Sequence, residues 1–212
     1  MYQVVIIGAG PVGGRLATEL ASRGISTLMI EEHAEIGRPF QCAGLVNPPA
    51  MQMVGLEDTI LQNVDGALIH SPSGIMVPVG KDGRVRTHVV CRKKFDQAVV
   101  AQAMEAGAHL WLLSKPIDAE VVKDGVNVKV EREGEIVDLK CNLLIGADGA
   151  HSWTRRYFKM GRPKEMMIGF QTDVSGLSGK DNWLEMYTGR DIAPGLFAWV
   201  IPTGNNTHRI GV

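Results

Sequence analysis

Cysteine is scarce in this sequence of 212 residues: Cys42, Cys91 and Cys141 lie far apart, are odd in number and form no CxxC pair. That argues against a disulfide framework, a structural zinc site and a dithiol redox centre. An excess of charge of either sign is also lacking. The formal net charge is -1, so no electrostatic case exists for nucleic acid as a partner. No apolar run approaches the roughly 18 residues that would suggest a membrane span. The first ten residues, MYQVVIIGAG, have neither a basic n-region nor a small-residue cleavage site. No signal peptide is read, and a cytoplasmic protein is the expectation. The histidines, His33, His70, His88, His109, His151 and His208, show no metal-ligand spacing, so no metal site is expected. Neither GxSxG nor a P-loop GxxxxGK(S/T) occurs.

What is present is an ordinary globular composition, 45% hydrophobic and 21% charged. The length allows one large domain, or one domain and part of a second, with a substantial core. Residues 2–7 are apolar and rich in β-branched side chains, which predicts a buried parallel strand. A glycine-rich turn follows at 8–14, then a helix over 11–23 stopped by Gly24, then a second buried strand over 26–30. Residues 32–49 read as a long Gly/Pro-rich loop, of a length that is usually functional. Residues 64–70 and 75–79 predict a hairpin around Ser71-Pro72-Ser73-Gly74. Strand 85–90, helix 95–106 and a parallel strand over 109–113 come next. Residues 119–140 alternate around two turns, as an antiparallel meander does. A buried strand over 142–145 then leads into Gly146-Ala147-Asp148-Gly149, followed by a helix over 151–157. After Gly161-Arg162-Pro163 the texture changes to aromatic, Met- and Gly-rich segments. A domain boundary is placed there.

Gly8-Ala9-Gly10-Pro11-Val12-Gly13 is a GxGxxG. The string alone is unspecific, but here it closes a predicted strand and opens a predicted helix, the context that gives it meaning. Gly8 suits a tight turn, Gly10 a close backbone approach to a pyrophosphate, and Gly13 close helix–strand packing. The helix N-terminus, with Pro11 in its first turn, offers N–H groups and the positive dipole end to phosphates. Glu31 ends the second strand, about 20 residues on, where an acid can accept the 2′ and 3′ hydroxyls of an adenosine ribose. It would repel a 2′-phosphate, so NADP is not expected. NAD and FAD both present an ADP half and stay open on this motif alone. So does a plain packing turn with a solvated Glu31.

Further segments carry a resemblance. Gly146-Ala147-Asp148-Gly149 is similar to the second flavin motif of glutathione-reductase-type and hydroxybenzoate-hydroxylase-like flavoproteins. Arg92, in CRKKFDQAVV, resembles the arginine that contacts FAD in that group. Within the group, GRPFQCAGL resembles the PxxCxG motif of geranylgeranyl reductases, and Phe197-Ala198-Trp199-Val200-Ile201-Pro202-Thr203-Gly204, trailed by Gly211, resembles their YxWxFPxG motif. Phe197 replaces the motif's Tyr and Ile201 its Phe, which removes one hydroxyl. Family members are longer and carry a third, GD-rich flavin motif, so a truncated or split chain is expected.

The resemblance implies an α/β chain. A Rossmann-like FAD-binding domain with a parallel sheet and a meander is placed at 1–160, with an inserted antiparallel segment around 64–90. An incomplete β-rich substrate domain begins at 161–212. It implies FAD as cofactor and Gly8, Gly10, Pro11, Gly13, Glu31, Glu32, Arg38, Ala43, Gly44, Arg92, Asp148 and Gly149 as cofactor-binding residues. Cys42 is then the catalytic residue, in a loop beside the isoalloxazine, where it positions substrate or supplies a proton. A nearby cation such as Arg38 would lower a thiol pKa, although free Cys is more often a small buried hydrophobe. Phe197 and Trp199 are the substrate-binding candidates, against core packing as the plainer alternative. Arg92, Lys93 and Lys94 open a helix where cations oppose the macrodipole, a conflict that an anionic ligand would resolve for Arg92. Asp148 either meets a ribityl or ribose hydroxyl, caps the helix that follows, or does both. The implied activity is saturation of C=C bonds in polyprenyl groups. The partners are a polyprenyl or lipid substrate and an unknown electron donor, NAD(P)H or ferredoxin-like, with peripheral membrane contact through the lipid. The alternatives are a flavin monooxygenase of the hydroxybenzoate-hydroxylase type and a non-catalytic FAD-binding fragment.

Overall fold

The computed structural model describes residues 1–80, 82–177 and 182–212. In chain order the first elements are β1 (Tyr2–Ile7), α1 (Pro11–Ala21), β2 (Thr27–Ile30), β3 (Leu45–Val46), α2 (Pro48–Val54), β4 (Ile60–Val64), β5 (Gly66–His70), β6 (Met76–Val79) and β7 (Thr87–Val90). There follow α3 (Arg92–Glu105), β8 (His109–Trp111), β9 (Ser114–Val122), β10 (Gly125–Arg132), β11 (Glu135–Gly146) and α4 (Trp153–Tyr157). The last are β12 (Gln171–Ser175), β13 (Trp183–Thr188), β14 (Phe197–Gly204) and β15 (Thr207–Gly211). The chain divides into two compact units, Met1–Phe40 with Lys93–Lys164 and Gln41–Arg92 with Glu165–Val212.

The first unit is built on one sheet in the order β8-β2-β1-β11-β10-β9. Its first four strands are parallel, and β9, β10 and β11 form the antiparallel meander. Alternation along β1 explains its burial. Val4 and Ile6 pack with Ala17, Met29, Val100 and Ala103, the helix side of the sheet. Val5 and Ile7 pack with Leu28, Ile30, Val128, Val130 and Cys141. A strand covered on both faces has to be apolar throughout, which is why 2–7 reads as a continuous run. Gly14 lets α1 approach α3, since a Cβ there would lie 2.9 Å from Val99 Cγ1.

Residues 142–145 differ from the expectation of a separate buried strand. They are the end of β11, which pairs antiparallel with β10 up to Cys141 and parallel with β1 from Cys141 onward. Leu144 and Ile145 pack on opposite faces of the sheet, but the cover is uneven along the strand: Cys141 is buried while Leu143 is 53% exposed.

The second unit is β-rich, with one sheet in the order β12-β15-β14-β13-β5-β6 and another in the order β3-β7-β4. Its core joins Val64, Val89 and Ile201, with Ala43, Leu184 and Trp199 packed against them. The segment around 64–90, expected as an insertion of the first domain, pairs instead with later residues: β5 runs parallel to β13, with His70 opposite Tyr187. The single strand expected over 64–70 is broken at Asp65, whose N–H donates to Asn182 O and whose Oδ2 accepts from Asn182 Nδ2 at 2.7 Å. The loop expected over 32–49 ends early, in β3 and α2. Asn47 caps α2 by accepting the Ala50 N–H at 2.9 Å, proline occupies its first turn, and Gly55 closes it in the left-handed region. These are ordinary start and stop signals. Among the described residues no helix is long and apolar enough to cross a membrane.

Candidate functional site

In the first unit the glycine turn sits at the C-terminal ends of β1 and β11. The Gly8 N–H donates to Ile30 O at 2.8 Å and the Ala147 N–H to Ile7 O at 2.7 Å, so the turns at 8–13 and 146–149 lie against each other. Gly8 has φ +97°, and a Cβ on it would come 2.5 Å from Ala147 O. A Cβ on Gly13 would come 2.0 Å from Gly8 O. The protein's own packing therefore requires both. Gly10 differs. Its φ of -76° and ψ of -174° suit any residue, and a Cβ there meets nothing within 4 Å. Neither strain nor crowding demands glycine at that position, and the space left is what a ligand's close approach would use.

The donors at this opening fit an anion. Gly10 begins α1 without a side-chain cap, Pro11 sits in the first turn, and the N–H groups of Val12 and Gly13 find no acceptor among the described residues. Unpaired amides at the positive end of an eleven-residue helix suit a diphosphate. The Ala9 N–H is not among these donors, because it donates to Glu31 Oε2 at 3.0 Å.

Glu31 is thereby drawn to the turn. Its Oε1 accepts the His33 N–H at 3.1 Å and lies 2.6 Å from His33 Nδ1. A carboxylate offers about four acceptor positions, so three are used and one remains for a ribose hydroxyl. Receiving both hydroxyls requires the His33 ring, 38% exposed, to turn aside. Glu32 is exposed and points to no partner among the described residues. Arg38 is 56% exposed, 3.7 Å from Glu35 and over the Phe40 ring at 5.6 Å. Lys93 needs no ligand to explain it. Its Nζ meets Glu35 Oε1 at 2.5 Å, and Gly37 packs on its backbone. Chiefly the Lys93 hydrogen bond holds the Glu35 carboxyl below the usual range, against a smaller opposing effect of burial.

Asp148 carries out the capping role. Its Oδ2 accepts from Thr154 N at 2.9 Å and Thr154 Oγ1 at 3.0 Å, while Ser152 caps α4 through Arg155 N–H. Burial alone would push the Asp148 carboxyl up, but the hydrogen bonds from Ser152 and Thr154 outweigh it and the carboxyl lies below its ordinary value. Gly149 has φ +67° with open space around it.

The second unit gathers the other candidates. Cys42 is exposed, and its Sγ accepts the Gly44 N–H at 3.5 Å. Gly44 is buried with φ +84°; a Cβ on it would strike Val90 O at 2.6 Å and approach the Arg92 stem at 3.4 Å. Its carbonyl accepts the Val90 N–H at 2.8 Å. In the main sheet Trp199 lies opposite Gly211, and Gly211 opposite Gln171; Ile201 lies opposite Arg209, and Arg209 opposite Asp173. Directly paired and alternate residues share a face. Phe197, Trp199, Arg209, Gly211, Gln171 and Asp173 are therefore on one side. The Phe197 and Trp199 rings meet edge-on, 6.3 Å apart. Trp199 is part of the core, and its ring fills the space over Gly211, where a Cβ would come 2.3 Å from Cζ2. The trailing glycine of the motif is thus a packing requirement.

Sequence reasoning passed over Arg209 and Gln171. Gln171 Nε2 donates to Cys42 O at 3.2 Å and Arg209 Nη1 to Ala43 O at 2.8 Å. Asp173 holds the guanidinium at 2.8 and 3.1 Å. Asp173 lies 36 residues before Arg209, and the strand register that brings the two together was not readable from the sequence.

Known proteins are similar to this chain in sequence and fold. The family model described as an FAD binding domain matches residues 1–211. The digeranylgeranylglycerophospholipid reductase of Methanocaldococcus jannaschii is 34% identical over 98% of this chain and 54% of its own length. Digeranylgeranylglycerophospholipid reductase 1 of Methanococcoides burtonii is 32% identical over 100% of the chain and 54% of its own. The chain spans about half the length of these relatives. A crystal structure of a geranylgeranyl bacteriochlorophyll reductase-like protein from Thermoplasma acidophilum superposes with TM-score 0.88 and 28% identity, over 100% of this chain and 56% of that one. The family match runs through all but the last residue and the opening at Gly10 suits a dinucleotide, so the chain belongs to the FAD-binding domain family, with FAD as its cofactor.

Proposed function

We propose that this chain is part of an FAD-dependent oxidoreductase that saturates C=C bonds of geranylgeranyl or other polyprenyl groups in a lipid or isoprenoid precursor. The carrying observation is that the Cys42–Gly44 segment is tied to the sheet face that bears Phe197 and Trp199. The relatives' names point the same way. Gly8, Gly10, Pro11 and Gly13 would hold the diphosphate, and Glu31 the adenosine ribose. Glu32, Arg38, Asp148 and Gly149 would supply further polar contacts, and Ala43, Gly44 and Arg92 would meet the rest of the cofactor.

The chemistry that bound FAD would supply, in its reduced form, is a hydride for one alkene carbon. The protein's part is to orient the alkene in a dry setting, because an unactivated double bond has no carbonyl to polarise. Phe197 and Trp199 would line the prenyl chain without the hydroxyl of the motif's Tyr. The Cys42 thiol would deliver a proton to the second carbon and recover one from solvent, with the Gly44 N–H directed at Sγ helping to fix its position. Met166, Met167, Ile168 and Phe170 are exposed, an apolar stretch suited to a polyprenyl chain. The electron donor is a nicotinamide or a ferredoxin-like protein, and membrane contact is peripheral, through the lipid.

The test is an anaerobic assay of the whole protein with chemically reduced FAD and a geranylgeranyl lipid, read by product mass. Saturated product without oxygen supports the reading. No product without oxygen and hydroxylated product with it would establish a monooxygenase instead. Cys42→Ala should keep FAD bound and lower turnover by about a hundredfold, the usual worth of a positioned acid. Unchanged turnover returns Cys42 to a structural role.

A further inference from the structure

We infer that Arg209, steered by Asp173 and assisted by Gln171, is a positioning residue that fixes the peptide planes on either side of Ala43. This rests on the reading of the Cys42–Gly44 segment as part of the flavin site. Arg209 is 7% exposed at its side chain, unusually buried for an arginine. Asp173 takes Nε and Nη2 in a forked pair, which orients the planar guanidinium and aims Nη1 at Ala43 O, 2.8 Å away. Gln171 Nε2 takes the preceding carbonyl, Cys42 O, at 3.2 Å. The amide is thus committed to Cys42 through its nitrogen, while its oxygen, Oε1, is buried with no protein partner among the described residues.

Two successive carbonyls are therefore drawn toward the same sheet face. A trans peptide is planar, with N–H opposed to C=O. Fixing Cys42 O turns the Ala43 N–H away from the sheet, and fixing Ala43 O orients the Gly44 N–H, which reaches Cys42 Sγ at 3.5 Å. The Ala43 N–H has no acceptor among the described residues. An amide held in a fixed direction and left unpaired is a preorganised donor, and the flavin ring carries carbonyl and ring-nitrogen acceptors that such a donor suits. Lysine cannot replace Arg209, because one nitrogen cannot fork to Asp173 and reach Ala43 O together.

The test compares wild type, Arg209→Lys and Gln171→Met in the whole protein. It reads amide hydrogen exchange at Val90, the donor to Gly44 O, together with the visible spectrum and dissociation constant of added FAD. Arg209→Lys should speed exchange at Val90 and weaken FAD binding about tenfold each, the size of one lost charge-assisted hydrogen bond. The bound flavin's absorption bands should move toward those of free FAD, while exchange at Val200 and Ile210 stays as in wild type. Unchanged exchange and flavin spectrum overturn the inference. So does equal acceleration at Val90, Val200 and Ile210, which makes Arg209 merely structural. If Arg209→Lys does not fold, Gln171→Met decides, since it leaves the ion pair intact: a shifted flavin spectrum with normal Val200 exchange supports the inference, and an unshifted one overturns it. No prenyl substrate is used, so a protein that passes this test and leaves prenyl double bonds untouched disproves the proposed reaction alone.

Discussion

At the scale of single residues, the three fingerprint glycines have different physical reasons. Gly8 and Gly13 are required by the protein's own atoms and Gly10 is not. Gly13→Ala should therefore destabilise the fold by about 3 kcal/mol, because backbone rather than a flexible side chain is in the way; chemical denaturation measures it. Asp148 gives a pH prediction. Its folded carboxyl lies below the ordinary 3.8, so its contribution is complete above that value and is lost as pH falls through the lower folded one. Asp148→Ala should cost about 1 kcal/mol at neutral pH, as loss of a helix cap does, and flatten the acid limb of the thermal midpoint against pH. An acid limb identical to wild type would contradict this. The fingerprint was legible because its logic is local: a turn, a helix start and an acid at fixed spacing. The Glu31 contacts to Ala9 and His33 were not, since they depend on how two strand ends meet.

At the scale of elements, β5 and β13 bring together a cluster that no sequence spacing announces. His70 Nε2 and Tyr187 OH both meet Glu185 Oε2, at 3.0 and 2.5 Å, and the His70 and Tyr187 rings stack 4.2 Å apart. The Glu185 hydrogen bond, with burial, pushes the Tyr187 phenol from 10.0 up to about 12. A group raised on folding contributes stability that is full below the unfolded value and lost as pH rises through the folded one. Phenolate absorbance should show one tyrosine titrating late, and Glu185→Gln should return it toward 10.0; a late transition that survives the substitution would contradict the assignment. Strand 64–70 and helix α2 were misjudged for opposite reasons. The strand's apolar pattern ran through a break made by Asn182, far along the chain, whereas α2 carried its signals openly in Asn47, Pro48 and Gly55 but was masked by the Gly/Pro-rich context.

At the scale of the whole molecule, the order β-α-β, meander, glycine turn was readable because parallel strands and hairpins each leave their own hydrophobic period. The grouping of residues 41–92 with 165–212 was not, since parallel pairing of β5 with β13 leaves no mark on either strand's pattern. The same holds for the hold of Arg209 on Ala43. FAD at about a hundred times its dissociation constant should stabilise the protein by about 2.7 kcal/mol if it binds only the folded chain. The most direct test of the central claim, that the opening at Gly10 exists for the cofactor's diphosphate, is a fluorescence titration of Gly10→Ala with FAD beside its thermal melt. The expected result is a melt matching wild type with FAD affinity reduced about a hundredfold, the cost of pushing a methyl group into the diphosphate's place. Wild-type affinity in that variant, or a melt lowered as far as that of Gly13→Ala, would contradict it.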